Sequence, residues 1–338
     1  MKNERKGITV AGSLIADLFH DIDTYPKEGL LVSVRGQSQS IGGTGNIILD
    51  LAKLDANLPV KVSAIVGDDN AGKGLLKTLC SFPNVNVDNV TVEGNSACTL
   101  VMNSADTKQR TFFFIPDATD RYDESYIDWD KNDSKIFMLE YLLLLKKVDD
   151  TDEKYGTHGA KILHDAKERG MITSIDVVSE KSDRAPKIVR AALKYTDICC
   201  INEYETESVT EIKITTEDGK LLRDAVYEAI KKLQELGVSK WIVIHAPTES
   251  YGYDCESGEF IRVPSLKLPF GYIKGSTGAG DAYCSGILYG AHENFTLENS
   301  MRLARATAAC SLSENNGTDG MRSYEEAMLL EEEFGTLD

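Results

Sequence analysis

The chain is poor in positive charge. Its 338 residues hold 37 lysines and arginines against 54 aspartates and glutamates, which gives a formal net charge of −17. A surface of this sign repels the phosphates of nucleic acids and the anionic headgroups of membranes. We therefore expect neither a nucleic acid nor a membrane as a partner, although a local basic pocket could still hold a nucleotide.

Cysteines and long apolar runs are also scarce. The seven cysteines are an odd number and include no C-x-x-C pair, which argues against a disulfide framework and favours reduced thiols. The most apolar run, residues 136–145, is short and contains Glu140, and the apolar run after the charged residues 1–6 ends at Asp17. We expect no transmembrane helix, no signal peptide and a cytoplasmic location.

Three familiar motifs are missing. No G-x-G-x-x-G follows the apolar stretch at residues 8–11. Residues 67–74 match the glycine and lysine spacing of a P-loop, but Gly74 occupies the place of the serine or threonine that binds magnesium. No histidine shows a metal-binding spacing such as H-E-x-x-H. The sequence therefore argues against a dinucleotide fingerprint, a P-loop and a histidine-based metal site.

What the sequence does contain is a glycine-rich turn, Gly-Ser-Thr-Gly-Ala-Gly-Asp-Ala-Tyr, at residues 275–283. Apolar residues follow at helical spacing, so the turn predicts the start of a helix, whose first amides attract anions. Asp281 would repel a phosphate bound there unless its carboxylate accepts a proton from an attacking hydroxyl. The turn is consistent with phosphoryl transfer, and an aspartate that only complements the helix dipole is the open alternative.

Strand-like and helical segments alternate along the chain. Strands are predicted at residues 8–11, 60–66, 135–139, 172–175, 198–201 and 241–244, and helices at 218–236 and 296–312. This alternation predicts an α/β fold with a doubly wound, mostly parallel sheet and helices on both faces. Four strands end in a polar residue, and these residues would line one edge of the sheet: Glu140, Asp176, Asn202 and His245.

A second, smaller sheet is predicted beside the main one. Residues 31–40 alternate in part, as in an exposed strand. Residues 97–102 and 110–115 are β-rich runs joined by a polar turn, which predicts a hairpin. Such a sheet suits a lid that excludes water during phosphoryl transfer.

Residues 278–281, Gly-Ala-Gly-Asp, closely resemble the second signature of the ribokinase-like (PfkB) family of carbohydrate kinases. That signature usually reads Asp-Thr-Thr-Gly-Ala-Gly-Asp, and here Gly275 and Ser276 replace its first two residues. In many members the first aspartate helps to hold a potassium ion. Gly275 has no side chain to do so, and we expect weak or absent potassium activation.

Two further motifs carry the resemblance. The pair Gly42-Gly43, followed by Asn46 at the start of a predicted helix, resembles the first signature, with Ile41 in the place of its first glycine. Asn202 and Glu205 resemble the N-x-x-E motif that handles magnesium and the phosphates. An asparagine cap followed by a capping-box glutamate is the alternative interpretation of this pair.

The resemblance implies an ATP-dependent kinase that phosphorylates a primary hydroxyl of a sugar such as ribose or fructose, with ATP and Mg²⁺ as cofactors. The implied site has Asp281 as general base and an anion hole formed by Gly278, Ala279 and Gly280 with the amide of Asp281. The residues implied around the acceptor are Asp17, Gly42, Gly43, Asn46 and Glu140. Those implied at ATP and magnesium are Asn202, Glu205 and His245, and Glu205 would contact the magnesium ion through a water molecule.

The resemblance covers nearly the whole chain and implies a single kinase domain, residues 1–338, with a lid formed by segments 17–43 and 96–118. In several members the lid is also the dimer contact, so a homodimer through the lid is one implied arrangement. Two alternatives remain open. One is a nucleoside kinase of the same family, acting on adenosine, pseudouridine or a relative, with a stacking aromatic residue from among Phe19, Phe112 and Phe114. The other is a catalytically silent sugar-binding relative, against which the intact Asp281 argues.

Overall fold

The computed structural model describes residues 5–107, 109–180 and 182–338; Lys108, inside the predicted lid, lies outside this range. The strands, numbered β1 to β13 in chain order, are Ile8–Gly12, Leu14–Ile22, Val34–Gly43, Val60–Val66, Val85–Val92, Ala97–Ser104, Arg110–Ile115, Ile136–Leu142, Ile172–Val177, Ile198–Asn202, Trp241–His245, Glu249–Asp254 and Phe260–Pro264. The helices, α1 to α11, are Thr44–Leu54, Asn70–Leu79, Ala118–Arg121, Lys146–Asp149, His158–Glu168, Ala185–Leu193, Glu203–Thr210, Arg223–Glu235, Ala279–His292, Leu297–Leu312 and Tyr324–Phe334.

The large sheet confirms the predicted α/β class. Within the described residues it has nine strands in the order β13-β12-β11-β10-β9-β8-β1-β4-β5. The strands from β11 to β5 pair in parallel, and β12 and β13 add an antiparallel edge. The sequence analysis missed β5, β12 and β13. The parallel order brings the carboxyl ends of β8, β9, β10 and β11 to one edge, where ligands bind in open α/β sheets.

Two apolar cores, one on each face, hold the sheet between helices. Neighbouring strand residues alternate between them, so that Cys200 and Val243 pack in the core that contains α1, α9 and α10. Cys199 and Ile242 pack on the other face, with α5, α6 and α8. The strands are buried on both faces, as expected for a parallel sheet covered by helices.

The small sheet confirms the second predicted layer, with the strand order β3-β2-β6-β7. Strands β2 and β6 pair in parallel, whereas β2–β3 and β6–β7 are antiparallel. The predicted strand 31–40 begins three residues too early, and β3 runs on into the signature glycines. Among the described helices, none combines the length and apolar character needed to span a lipid bilayer.

Asp17 lies within strand β2 of the small sheet, whereas the sequence predicted only one strand, residues 8–11, in this part of the chain. The amide of Ser13 still donates to the carbonyl of Glu140 over 3.1 Å at the end of the large sheet. The chain then enters β2, and Asp17 lies inside that strand opposite Ser40 of β3. At Gly12 and Ser13 the chain therefore passes from the large sheet to the small sheet. The local sequence does not distinguish such a passage from an ordinary loop.

Candidate active site

Helix α9 begins at the glycine-rich turn, as predicted. Gly278, its N-cap, has φ 78°, and a Cβ there would lie 2.6 Å from Cα of Gly317, so the turn requires glycine. The amide of Ala279 donates to the carbonyl of Ser276 over 3.3 Å. The amides of Gly280 and Asp281 have no acceptor among the described residues. The helix start therefore presents unpaired donors to an anion, from residues 280 and 281 rather than from Ala279.

The carboxylate of Asp281 is held by two other elements. Its Oδ2 accepts a hydrogen bond from Nδ2 of Asn46 over 2.7 Å, and its Oδ1 accepts one from the hydroxyl of Tyr141 over 2.5 Å. The residue is 9% exposed. Burial raises the pKa of Asp281, and the donors Tyr141 and Asn46 oppose that shift because they stabilise the charged form. The carboxylate is thus oriented by α1 and by the end of β8.

Two strand-end carboxylates lie beside Asp281. One carboxylate oxygen from each of Glu140, Asp176 and Asp281 lies within 4.8 Å of the other two. Glu140 is 0% exposed, and neither of its carboxylate oxygens has a hydrogen-bond partner within the described residues. Burial first, and then the charges of Asp281 and Asp176, raise the pKa of Glu140 well above its usual range; the neighbouring Tyr141 hydroxyl offsets part of this shift. Two of the four predicted strand-end side chains, Glu140 and Asp176, therefore converge at Asp281.

Asp17 faces the same site from the small sheet. Burial raises its pKa to about 6; the Thr99 hydroxyl opposes this shift, and the charge of Asp281 adds to it. A Cβ on Gly42 would lie 2.5 Å from Oδ2 of Asp17, so any side chain at position 42 would displace the Asp17 carboxylate from its present position. The structure thus brings Asp17 and Gly42 to the region of Asp281. Gly43, the N-cap of α1, lies behind them against the turn between β1 and β2.

Asn202 and Glu205 form the capping box that the sequence analysis kept as an alternative. Oδ1 of Asn202 accepts from the amide of Glu205, and Oε2 of Glu205 accepts from the amide of Asn202. Oε1 of Glu205 accepts from Nδ2 of Asn202 over 2.8 Å and from the hydroxyl of Ser179 over 2.7 Å. Burial raises the pKa of Glu205 to about 7. The pair therefore caps the first turn of α7, and this structural role does not depend on a ligand.

His245 lies opposite Asn202 in the sheet, stacked on Tyr283 with ring centroids 4.9 Å apart. A Cβ on Gly280 would lie 3.6 Å from its Cε1, so the ring packs beneath the start of α9. Burial lowers the pKa of His245 to about 4. The ring is therefore neutral near pH 7, and it can meet a nucleotide by packing or hydrogen bonding but not as a cation.

The sequence analysis missed two residues of this region, Tyr141 and Arg110. Tyr141 had one signal, its place directly after the strand-end Glu140. Arg110, at the start of β7, donates to Oγ1 of Thr277 over 3.4 Å and to the carbonyl of Asn315 over 3.2 Å, and so joins the small sheet to the glycine-rich turn. No sequence pattern predicted this contact, because 167 residues separate Arg110 from Thr277.

A cavity of about 790 Å³ lies between the small sheet and the loops around α9 and α10. Its lining is polar apart from a few side chains, and includes Phe19, Asp21, Asn103, Arg110 and Lys274. Of the three phenylalanines considered for base stacking, only Phe19 lines this cavity. Phe112 is 57% exposed on the edge strand β7, and Phe114 lines a different cavity.

The chain is similar to one protein family and to several solved structures. The family model described as pfkB family carbohydrate kinase matches residues 5–323. A comparison with curated protein sequences gives no significant match. Among solved structures, the chain is similar to Arabidopsis thaliana ribokinase complexed with ribose and ATP, with a TM-score of 0.79, 20% identity, and 97% of this chain and 99% of that chain covered.

Two further structures are similar over nearly their whole length. Xylella fastidiosa fructokinase with bound ATP has a TM-score of 0.74 and 18% identity, with 98% of this chain and 99% of that chain covered. The Methanocaldococcus jannaschii nucleoside kinase has a TM-score of 0.72 and 15% identity, with 97% and 98% covered. At these identities the similarity establishes the fold, which is the ribokinase fold.

Proposed function

The chain belongs to the PfkB family of carbohydrate kinases, and on that basis we propose that it transfers the terminal phosphoryl group of ATP to a primary hydroxyl of a sugar such as ribose or fructose. The observation that carries this proposal is the position of Asp281. Its carboxylate lies in the first turn of α9, next to unpaired amides, and is oriented by Asn46 and Tyr141. A base beside an anion site is the arrangement that phosphoryl transfer to an alcohol requires.

In this mechanism Asp281 accepts the proton of the acceptor hydroxyl. The amides of Gly280 and Asp281, at the positive end of the α9 dipole, stabilise charge on the transferring phosphoryl group. Asn46 and Tyr141 favour the ionised form of the carboxylate, in opposition to burial, and orient it, so each acts as a positioning residue. Gly278 allows the chain to form this turn, because it adopts a left-handed backbone conformation that is unfavourable for most other residues.

The acceptor would bind between the small sheet and the edge of the large sheet. We assign Asp17, Gly42, Gly43, Asn46 and Glu140 to this part of the site, in agreement with the resemblance. Asp17 is the main hydrogen-bond acceptor for sugar hydroxyls, since its carboxylate faces Asp281 from β2. Gly42 admits that carboxylate, and Gly43 and Glu140 form the wall behind the acceptor.

The nucleotide would extend from α9 toward Asn202, Glu205 and His245. Mg²⁺, when bound with ATP, supplies charge neutralisation of the phosphates. Glu205 would act on this ion through a water molecule, since three hydrogen bonds already hold its carboxylate and leave one lone-pair site to accept from that water. We assign no potassium site, since Gly275 has no side chain that could act as a ligand.

The small sheet would act as the lid. Arg110 supports this role, because it links β7 to the turn that opens α9. The outer edge is strand β7, whose residues 111–115 are all exposed and mostly apolar. This edge supports a homodimer through the lid, since an unpaired apolar strand edge favours pairing with a second strand.

A nucleoside kinase is the second candidate, and Phe19 is the observation that favours it. Its ring lines the cavity under the lid, with the guanidinium of Arg110 5.9 Å from its centroid. A base could stack on this ring. A turnover assay with ATP and a panel of pentoses, hexoses and nucleosides separates the two candidates.

The proposal is tested by Asp281→Asn. Turnover should fall by about 10²–10⁴-fold, which is the contribution of general-base catalysis. Binding of ATP and sugar, measured by calorimetry on the same preparation, should persist, because asparagine is nearly isosteric and can pair with both Asn46 and Tyr141. The control is Asp149→Asn, which removes a buried carboxylate outside the site. Turnover of Asp281→Asn within a few-fold of wild type would refute the proposal.

A further inference from the structure

Three carboxylates meet at the carboxyl ends of β8 and β9, and residues 5–107, 109–180 and 182–338 show no basic group that offsets their charge. Each of Glu140, Asp176 and Asp281 offers an oxygen within 4.8 Å of the other two. Among the described residues, no lysine, arginine or histidine is one of the groups that shift the pKa of these three carboxyls. Like charges this close in a buried site repel strongly, because little water screens them.

Glu140 is the independent sign that something binds here. It is fully buried, and both of its carboxylate oxygens lack a hydrogen-bond partner within the described part of the chain. Buried polar atoms are almost always paired, and an exception calls for an explanation such as a bound ion. The alternative is that the carboxyls share protons in place of an ion.

The chemistry and spacing of the donors suit a hard divalent cation. Such ions prefer carboxylate oxygens, at about 2.1 Å for magnesium and about 2.4 Å for calcium. Two ligands on opposite sides of the ion are about 4.2 to 4.8 Å apart and adjacent ligands are closer. The three oxygens of this cluster all lie within 4.8 Å of one another, so one ion the size of calcium can reach each of them. Asp281 can take part while bonded to Asn46 and Tyr141, because a carboxylate has about four lone-pair sites.

This cluster differs from the Asn202–Glu205 pair. The carboxylate of Glu205 already accepts three hydrogen bonds, whereas that of Glu140 accepts none from the residues that the structure describes. The dipole of α9 opposes a cation near its start, but it amounts to only about half a charge, against three carboxylates. The balance of charge in the cluster therefore favours binding.

We propose that Glu140, Asp176 and Asp281 directly bind one hard divalent cation in the absence of nucleotide, at a site separate from the Asn202–Glu205 pair. Glu140 is then a metal ligand as well as a wall of the acceptor pocket. The bound ion would offset the negative charge of the three carboxylates and so reduce their repulsion of a phosphate bound beside them.

The test uses chelator-treated, nucleotide-free protein titrated with Mn²⁺, with free Mn²⁺ measured by electron paramagnetic resonance. Wild type should bind one ion per chain. Glu140→Gln and Asp176→Asn should each weaken binding by about tenfold or more, since even partners outside the ligand set cost 10–100-fold in affinity. The matched control, Glu203→Gln, removes one negative charge from the neighbouring α7 and should change the affinity by less than about threefold.

A second measurement guards against variants that fail to fold. Circular dichroism and thermal melting should show that Glu140→Gln is folded, and Mg²⁺ or Ca²⁺ should raise the melting temperature of wild type but not of this variant.

Absence of Mn²⁺ binding by wild type would mean that protons neutralise the cluster, and the proposal fails. Binding that needs ATP and disappears in Glu205→Gln would place the ion with the nucleotide, which also overturns it. These readouts are independent of turnover, so the proposed kinase activity stands or falls separately.

Discussion

The hydrogen bond from Tyr141 to Asp281 predicts a specific change in the pH dependence of the reaction. The Tyr141 hydroxyl donates to Oδ1 of Asp281 over 2.5 Å, and Tyr141→Phe removes that donor while keeping the ring. A hydrogen bond to a charged group contributes about 1.5–3 kcal/mol, and each 1.4 kcal/mol or so is one pH unit of protonation equilibrium. We therefore expect the acid limb of the kcat/KM profile to move by about one to two pH units.

The direction follows from the balance of forces on the base. Burial raises the pKa of Asp281, and the Tyr141 and Asn46 donors oppose that shift. Without Tyr141 only Asn46 opposes it, so Asp281 keeps its proton to higher pH and the limb moves toward alkaline pH. Above the limb, the carboxylate is at least as basic as before, so kcat/KM should return to within a few-fold of wild type.

The assay couples ADP release to a reporter across pH 5 to 9, at fixed ionic strength and with sub-saturating sugar. Tyr126→Phe is the matched control, because the Tyr126 hydroxyl also donates to a carboxylate, that of Glu93 over 2.6 Å, at an exposed position. Its profile should coincide with wild type. A Tyr141→Phe profile whose acid limb does not move would mean that Asp281 is not the titrating base, or that Tyr141 does not pair with it in the working enzyme.

Four further predictions follow from the same structure. Asp17→Ala should raise the sugar KM about tenfold or more, given the 1.5–3 kcal/mol of hydrogen bonds to a charged acceptor, and leave the ATP KM nearly unchanged; an equal loss for both substrates would point to a damaged fold. Burial raises the pKa of Asp149 from 3.8 to about 7, so its contribution to stability is present below about pH 4 and is lost as the pH rises through about 7. Urea unfolding at pH 8 should therefore show Asp149→Asn more stable than wild type, on the order of 4 kcal/mol, with a smaller difference at pH 5. No gain at pH 8 would show that burial does not destabilise the charged carboxylate. Replacing a bulky organic cation by potassium should leave turnover nearly unchanged, and a large rise would show that backbone carbonyls suffice in place of the side chain that Gly275 lacks. Hydrogen exchange in residues 96–118 should slow when sugar and an ATP analogue are both bound, and unchanged exchange would remove the lid from the mechanism.

The sequence alone was sufficient for those features that depend on local chemistry. Short, continuous apolar runs between helical segments predicted the parallel strands of the large sheet, because a strand that is covered on both faces is apolar along its whole length. The glycine-rich turn predicted the start of α9, since the conformation of Gly278 is one that glycine adopts readily. The order of the motifs then pointed to the family, which the match over residues 5–323 bears out.

Only the tertiary structure decided which side chains meet. Asn46 and Tyr141 lie 235 and 140 residues from Asp281, and their contact depends on helix packing and on the strand order β8-β1 across the sheet. The sequence predicted Glu140 and Asp176 along one edge of the sheet, but their cluster with Asp281 depends on the neighbouring positions of β8 and β9 and on the packing of α9. Asp17 reaches this region because the chain crosses from β1 to a second sheet at Ser13. Local patterns could not predict these contacts, because each arises from packing between segments that are far apart in the chain.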